Sequence, residues 1–282
     1  MSIDSLSPRA SGDASKPLRK STISTGINRT IGCQICSCFR VPNMQESHSQ
    51  SSSASGKRCA ACGTNCGKPA LLDLFCGGGG ATRGYQLAGF CVLGIDINPQ
   101  PNYVGCGFRQ ADALEYCASH GHEFDAIHAS PPCQRYSSIT RVHGKDMVDS
   151  HPDLIADVRQ MLADIGRPWI IENVRGAPLL SPLMLCGSMF GLGVFRHRYF
   201  EGAVPLFSPA CRHDFHPVPV YGHSGAGANR GRERKRGHTN SGDNWKRAMG
   251  IDWMTNAEMA QAIPPAYTKF IGRHLMNAMR GT

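Results

Sequence analysis

Between residues 69 and 201, short continuous apolar runs alternate with segments whose apolar residues recur at three- and four-residue steps. Residues 70–75 (ALLDLF), 90–95 (FCVLGI), 124–129 (FDAIHA) and 169–172 (WIIE) are runs of the first kind and predict buried strands. Residues 81–88 predict a helix directly after the first strand, and another strand is expected just before Asp112. A helix opening at Ser150 or Pro152 and running to Ile165 would carry Leu154, Ile155, Val158, Met161 and Leu162 on one face. Gly166 follows where a left-handed cap ends a helix. Strands and helices in alternation predict an α/β fold, a mostly parallel sheet with helices on its faces.

Outside that stretch the pattern changes. Residues 1–57 are rich in Ser and poor in large apolar side chains, so an extension over 1–68 is expected to be disordered. Residues 202–248 carry Pro, Gly, His and Arg with no clear period, as expected of a small irregular lobe. Order returns over 249–282, where Thr255 can cap a short helix with Glu258 three residues on. A last helix is expected after Pro264-Pro265, with Phe270, Ile271, Leu275 and Met279 on its apolar side. The expected organisation is thus 1–68, 69–201, 202–248 and a C-terminal segment 249–282 that returns to the main domain.

At 282 residues and 41% hydrophobic content the chain can bury a sizeable core. It has no run near the ~18 apolar residues of a membrane span. Its first residues lack the apolar centre of a secretory signal, so the expectation is a cytoplasmic protein without membrane partners. Lys and Arg number 30 against 21 Asp and Glu, a net charge of +9 that favours a polyanionic partner. The excess gathers at 228–247 (ANRGRERKRGHTNSGDNWKR), where Arg230, Arg232, Arg234, Lys235 and Arg236 are candidates for phosphate contacts. The competing reading is a solvated charge run; its place inside the irregular lobe favours a nucleic acid.

The candidate chemistry sits at strand ends. DLFCGGGG (73–80) lies where a strand gives way to a helix, and glycines there let backbone amides approach a ligand. Asp96, at the end of the next strand, is placed either to accept from two ribose hydroxyls or to cap a turn. Asp112 is a similar case for an adenine amino group. SPPCQ (130–134) puts Cys133 just past another strand, with two prolines fixing its backbone, as suits a positioned nucleophile. WIIENV supplies Glu172 and Asn173 at the adjacent strand end. FRHRYFE supplies Arg196 and Arg198, two residues apart on one face of a short strand, where they could lower a thiol pKa or bind a carbonyl oxygen.

These motifs resemble those of the DNA cytosine-5 methyltransferases: DLFCGGGG the first cofactor motif, SPPCQ the catalytic loop, ENV the glutamate motif, RHR the R-x-R motif. They stand in the family's order over 69–201, and the resemblance resumes at 249–273, where MTNAEMAQAIPPAYTKFIG looks like the two closing motifs run together. The resemblance implies a Rossmann-like S-adenosylmethionine-dependent fold and methyl transfer to carbon 5 of cytosine in double-stranded DNA, with the base flipped out. Restriction–modification is the setting it suggests. It implies that Cys133 is the nucleophile, Glu172 the acid at ring nitrogen 3 and the amino group, and Arg198 the contact to the ring oxygen. Asp73, Phe75, Gly77 and Gly79 would surround the methionine part of the cofactor, Asp96 and Ile97 the nucleoside, Asp112 the adenine end, with Pro131 also at the cofactor. An aromatic residue after Pro-Pro would instead suit methylation of an exocyclic amine, and Cys133 stands there. The chain departs from the pattern at Val194, where a Gln usually precedes the Arg pair, and at Gln261-Ala262, where Gly-Asn is usual. Its recognition region is also short. A tRNA cytosine as substrate and a catalytically silent DNA-binding relative are the alternatives.

Thirteen cysteines without a secretion signal suggest thiols or metal ligands rather than disulfides. Cys33-x-x-Cys36 and Cys59-x-x-Cys62 have the spacing of two halves of a four-thiolate zinc site, with Cys38 and Cys66 as spares. The Ser-rich connection weighs against it, and a start at Met44 would remove half of it. Cys211, His213 and His216 form either another partial site or polar surface. Metal binding is left open by the sequence.

Overall fold

The computed structural model describes residues 58–136, 152–202, 208, 210–220 and 242–280. β1 (Ala70–Leu74) is buried along its whole length, as its unbroken ALLDL run requires. It lies near the middle of a seven-stranded sheet with β2 (Cys91–Asp96), β3 (Gly107–Gln110), β4 (Ala126–Ala129), β5 (Trp169–Asn173), β6 (Leu183–Leu185) and β7 (Arg198–Gly202), in the order β3-β2-β1-β4-β5-β7-β6. The first five strands pair in parallel. β7 runs antiparallel to both β5 and β6. Its first residue, Arg198, therefore arrives at the carboxyl end of β5, where Glu172 and Asn173 stand. The fold is α/β.

Helices cover both faces. α1 (Gly80–Ala88) and α6 (Pro265–Arg280) lie over Leu71, Val92, Ala126 and Ile170, while α2 (Ala113–His120) and α3 (Ile155–Ile165) lie over Leu72, Leu93, Ile127 and Ile171. Successive residues of each strand serve opposite layers, which is the two-residue period of a strand buried on both sides. α1 and α6 approach closely at Gly84, where a Cβ would fall 1.9 Å from the Thr268 hydroxyl and 2.2 Å from the Pro265 carbonyl oxygen. Two shorter helices, α4 (Gly242–Met249) and α5 (Asn256–Gln261), complete a third cluster in which Trp245, Met249, Met254 and Met259 pack with Val194 and Val220. Among the described residues no helix is long and apolar enough to cross a membrane.

Several expectations need correction. Residues 58–68 do not belong to a disordered extension: they form a knuckle closed by Cys59 N–H to Thr64 O (2.9 Å) and Gly63 N–H to Cys59 O (2.8 Å), with Ala61 buried against the β2–β3 side. α3 begins at Ile155 rather than near Pro152, and Ser150 lies outside the described residues. α4 falls within the stretch expected to be irregular, and Arg196 precedes β7 instead of sharing it with Arg198. Residues 1–57, including Cys33, Cys36 and Cys38, lie outside the described residues, as does the basic segment from Arg230 through Arg232, Arg234, Lys235 and Arg236.

Candidate active site

The strand-to-helix turn after β1 is built from left-handed backbone: Phe75 (φ 59°), Gly77 (φ 50°) and Gly79 (φ 85°). Such values are ordinary for glycine and costly for Phe, so the turn is held from outside. Asp96 holds it by accepting Gly77 N–H at Oδ2 (3.0 Å) while its Oδ1 accepts Asn98 N–H (2.9 Å). Trp253 holds it from the C-terminal segment, donating to Gly78 O (2.9 Å). A Cβ on Gly77 would meet no atom within 4 Å, so the turn's backbone faces open space.

That space is a cavity of about 570 Å³, within the usual range for a small-molecule site. Asp73, Phe75, Gly77, Asp96, Ile97, Asp112 and Pro131 line it together with Cys133, Glu172 and Arg198. Of the residues expected around a cofactor, Gly79 alone is not among its lining; it serves as the left-handed N-cap of α1. Asp112 caps α2, its Oδ1 accepting from the amides of Leu114 (2.9 Å) and Glu115 (3.0 Å). Each of the two carboxylates thus supports a turn and also lines the cavity. Ile97 is 64% exposed, an apolar side chain at the rim.

Asp73 is fully buried. Its Oδ2 accepts from Thr82 (2.5 Å), whereas its Oδ1 has no hydrogen-bond partner among the described residues. Burial pushes its carboxyl up to about 7, against the pull of the Thr82 hydroxyl, and the charge of Asp96 adds to the rise.

The reactive loop is clamped from the neighbouring strand. Asn173 donates from its side-chain amide to Pro131 O (3.0 Å) and accepts Val174 N–H (2.9 Å), so the ENV segment positions the Pro-Pro-Cys turn. Cys133 is partly buried, and burial raises its thiol pKa; Glu172 adds to the rise while Arg198 and Arg196 oppose it. The cations do not by themselves make it an activated thiolate, because desolvation outweighs them. Glu172 is buried too, and burial raises its carboxyl against the opposing pull of Arg198, Ser130 and Arg196. Arg198 Nε stands 3.0 Å from Glu172 Oε1. Alignment falls short of a hydrogen bond, so the contact is one of charge.

The two arginines divide their work. Arg196 turns away to Val220 O (3.0 Å) and Ala260 O (2.5 Å), fastening the strand entry to the C-terminal segment. Arg198 reaches the acid and the cavity.

A buried layer behind the loop is absent from the sequence reading. His128, on β4, bridges Tyr85 OH (Nδ1, 2.9 Å) and Ser130 Oγ (Nε2, 2.8 Å), directly under the Pro-Pro-Cys turn. Burial lowers its pKa to about 3, so it is a neutral imidazole with one donor and one acceptor nitrogen. Met254, Ala257, Glu258, Gln261 and Ile263 also line the cavity. Their sequence signals were the resemblance of 254–272 to the closing motifs and the Thr255–Glu258 capping box, which forms as expected and projects α5 over the Gly-rich turn.

Among the described residues the thiols form two groups, and Cys33 and Cys36 lie outside those residues. Cys59, Cys62 and Cys66 of the knuckle meet Cys91 of β2. Cys211 and His213 meet Cys186 and His197, and His216 is not part of that group.

Residues 70–179 match the family model of the C-5 cytosine-specific DNA methylases. Over this segment the chain is similar to the DNA cytosine-5 methyltransferases. The Type II methylase M.HgiDII of Herpetosiphon aurantiacus is 33% identical over 119 residues, 37% of this chain and 32% of that protein, so the match spans about a third of the relative's length. Among solved structures, a protein encoded within an E. coli prophage aligns with a TM-score of 0.49 and 15% identity over 75% of this chain and 99% of that one. The Dnmt2 methyltransferase of S. pombe aligns with a TM-score of 0.48 and 14% identity over the same shares. The segment matched by this methyltransferase family contains Cys133, Glu172 and every expected cofactor residue; Arg198 lies beyond it.

Proposed function

We propose that the protein methylates carbon 5 of cytosine in double-stranded DNA, with S-adenosylmethionine as methyl donor and Cys133 as nucleophile. The observation that carries this reading is a single cavity lined by both the Gly-rich turn and the trio Cys133, Glu172 and Arg198. A cationic amino-acid nucleoside fits the residues present. The unpartnered Asp73 oxygen suits a positive group, and the Asp96 carboxylate and exposed Ile97 suit a ribose and an adenine. Asp73, Phe75 and Gly77 would hold the methionine part, Asp96 and Ile97 the nucleoside, and Asp112 the adenine end, with Pro131 beside them. Gly79 acts by shaping the turn. Bound there, S-adenosylmethionine supplies an electrophilic methyl group.

The remaining chemistry belongs to the chain. The Cys133 thiol gives up its proton to water and its sulfur bonds to carbon 6 of the ring, which makes carbon 5 nucleophilic. Charge building on ring nitrogen 3 is met by the Glu172 proton, which a raised pKa retains closer to neutral pH than an exposed carboxyl would. Arg198 holds the ring oxygen while balancing Glu172 when the acid is ionised. Once carbon 5 carries the methyl group, ring nitrogen 3 returns its proton to Glu172, carbon 5 loses its proton to water and the carbon 6–sulfur bond breaks, restoring the aromatic ring and the thiolate. Neutral His128 and Asn173 keep the loop in place through this cycle. The basic segment with Arg230, Arg232, Arg234, Lys235 and Arg236 supplies phosphate contacts to a duplex from which the target base is flipped.

Full-length protein incubated with methyl-labelled cofactor and either duplex DNA or tRNA tests this. Label at cytosine carbon 5 of the duplex, lost in Cys133→Ser, is expected. Label in tRNA alone would move the substrate to RNA, and label in neither would refute the proposal.

A further inference from the structure

We propose that Cys186, His197, Cys211 and His213 bind one zinc ion that fastens the loop after β7 to the segment carrying Arg198. Their four ligand atoms lie within 4.8 Å of one another, although they come from three separate stretches of chain. The Cys211 sulfur is 3.0 Å from His213 Nε2 and 3.5 Å from His197 Nε2, and the Cys186 sulfur is 3.4 Å from His213 Nε2. Zinc–sulfur bonds of about 2.3 Å and zinc–nitrogen bonds of about 2.0–2.1 Å give a tetrahedral sulfur–nitrogen edge of about 3.5–3.6 Å. The 3.4 and 3.5 Å spacings are close to that edge, and the 3.0 Å one is shorter.

The surroundings fit a ligand set. Ser188 Oγ lies 3.2 Å from the Cys186 sulfur and 3.8 Å from the Cys211 sulfur, a hydroxyl in reach of both thiolates. Phe195 stacks on the His213 ring at 3.9 Å and 14°, fixing the plane of the imidazole. Two thiolates and two neutral imidazoles balance a divalent ion, and that donor set with tetrahedral spacing selects zinc over harder cations. Residues 210–220 have no helix or strand to hold them. A metal cross-link therefore supplies an anchor there, and it also fixes His197, whose carbonyl accepts from Arg198 Nη1 (3.0 Å). The ion is structural and touches no reacting atom.

A second zinc site follows independently from the sulfur atoms of Cys59, Cys62, Cys66 and Cys91, which also lie within 4.8 Å of one another. Its ligands come from one knuckle and the first residue of β2, so it would staple residues 58–68 to the amino end of that strand. Cys33 and Cys36, which the spacing also offered as ligands, lie outside the described residues.

Zinc content and zinc X-ray absorption of the full-length protein, purified from zinc-supplemented medium, test both sites. Two zinc ions per chain are expected, falling to one in Cys211→Ser and to one in Cys62→Ser. The ion left in Cys62→Ser should have two sulfur and two nitrogen ligands, and the ion left in Cys211→Ser four sulfurs. Unchanged zinc in Cys211→Ser, or wild-type zinc bound by sulfur alone, overturns the first site. Unchanged zinc in Cys62→Ser overturns the second. The wild-type spectrum decides the first site even where a variant fails to fold, because only that site supplies nitrogen.

Discussion

Replacing Glu172 by Gln removes a charge and a proton while keeping the shape of the side chain. Arg198 Nε lies 3.0 Å from Glu172 Oε1, and the two side chains are only 14% and 7% exposed. At that separation and an effective dielectric of ~20 the attraction is about 5 kcal/mol, which the desolvation of both groups offsets in the intact pair. The Gln variant leaves Arg198 desolvated without its counter-charge, a loss of about 3 kcal/mol or somewhat more. For a domain of this size that lowers Tm by roughly 6–12 °C. The acid's loss should cut methyl transfer by about 10²–10⁴-fold. The two effects separate in Glu172→Gln/Arg198→Met, which should regain most of the lost stability and none of the activity. The pH profile gives a further check. Transfer needs a protonated Glu172 together with a Cys133 thiolate, so the wild-type rate should rise and then fall with pH. In the Gln variant the fall at high pH should vanish, leaving a rise to a plateau. Methyl transfer measured from pH 5 to 10, with thermal melts alongside, provides the readout. A Gln variant that keeps wild-type activity, or a double variant no more stable than the single one, would refute the reasoning.

Gly84→Ala should destabilise the protein by about 1–3 kcal/mol despite the better helix propensity of Ala, because the added carbon meets the Thr268 hydroxyl and the Pro265 carbonyl across α1 and α6. A higher Tm in this variant would contradict the close approach. Asp73 holds its proton up to about pH 7 in the folded state against an ordinary value of 3.8, so the folded state binds more protons in that interval. Its contribution to stability is intact below about pH 4 and declines, by up to ~4 kcal/mol, as pH rises to about 7. Urea melts of Asp73→Asn should show a flatter profile over that range, and an unchanged slope would falsify the assignment.

The strands, and the meeting of Cys133, Glu172 and Arg198 at one cavity, were legible because each depends on local pattern. ALLDLF, FDAIHA and WIIE are buried on both faces, and in a parallel sheet their carboxyl ends converge, so Asp96, Cys133 and Glu172 could be brought together by topology alone. What was not legible depends on partners distant in sequence. The division of labour between Arg196 and Arg198 is decided by Val220 and Ala260, far along the chain. His128 reads as one polar residue in a strand until Tyr85 and Ser130 close on it. Cys91 reads as a core residue until the knuckle brings three thiols to it, and Cys186 gives no signal before His197 and Cys211 are in place. α4 was missed because it has barely two turns, with its apolar face confined to Trp245, Ala248 and Met249. α2 was missed because only Ala113 and Cys117 are buried on it, too few to set a period.

The central claim is that Cys133 bonds to carbon 6 of the target cytosine. Fluorine at carbon 5 cannot leave as the proton does, so a duplex containing 5-fluorocytosine should arrest the reaction with the sulfur still attached. Mass spectrometry of peptides from full-length protein incubated with that duplex and S-adenosylmethionine should find a nucleotide adduct on Cys133. Methylation of an ordinary duplex without any adduct on the fluorinated one, or an adduct on another cysteine, would contradict the account.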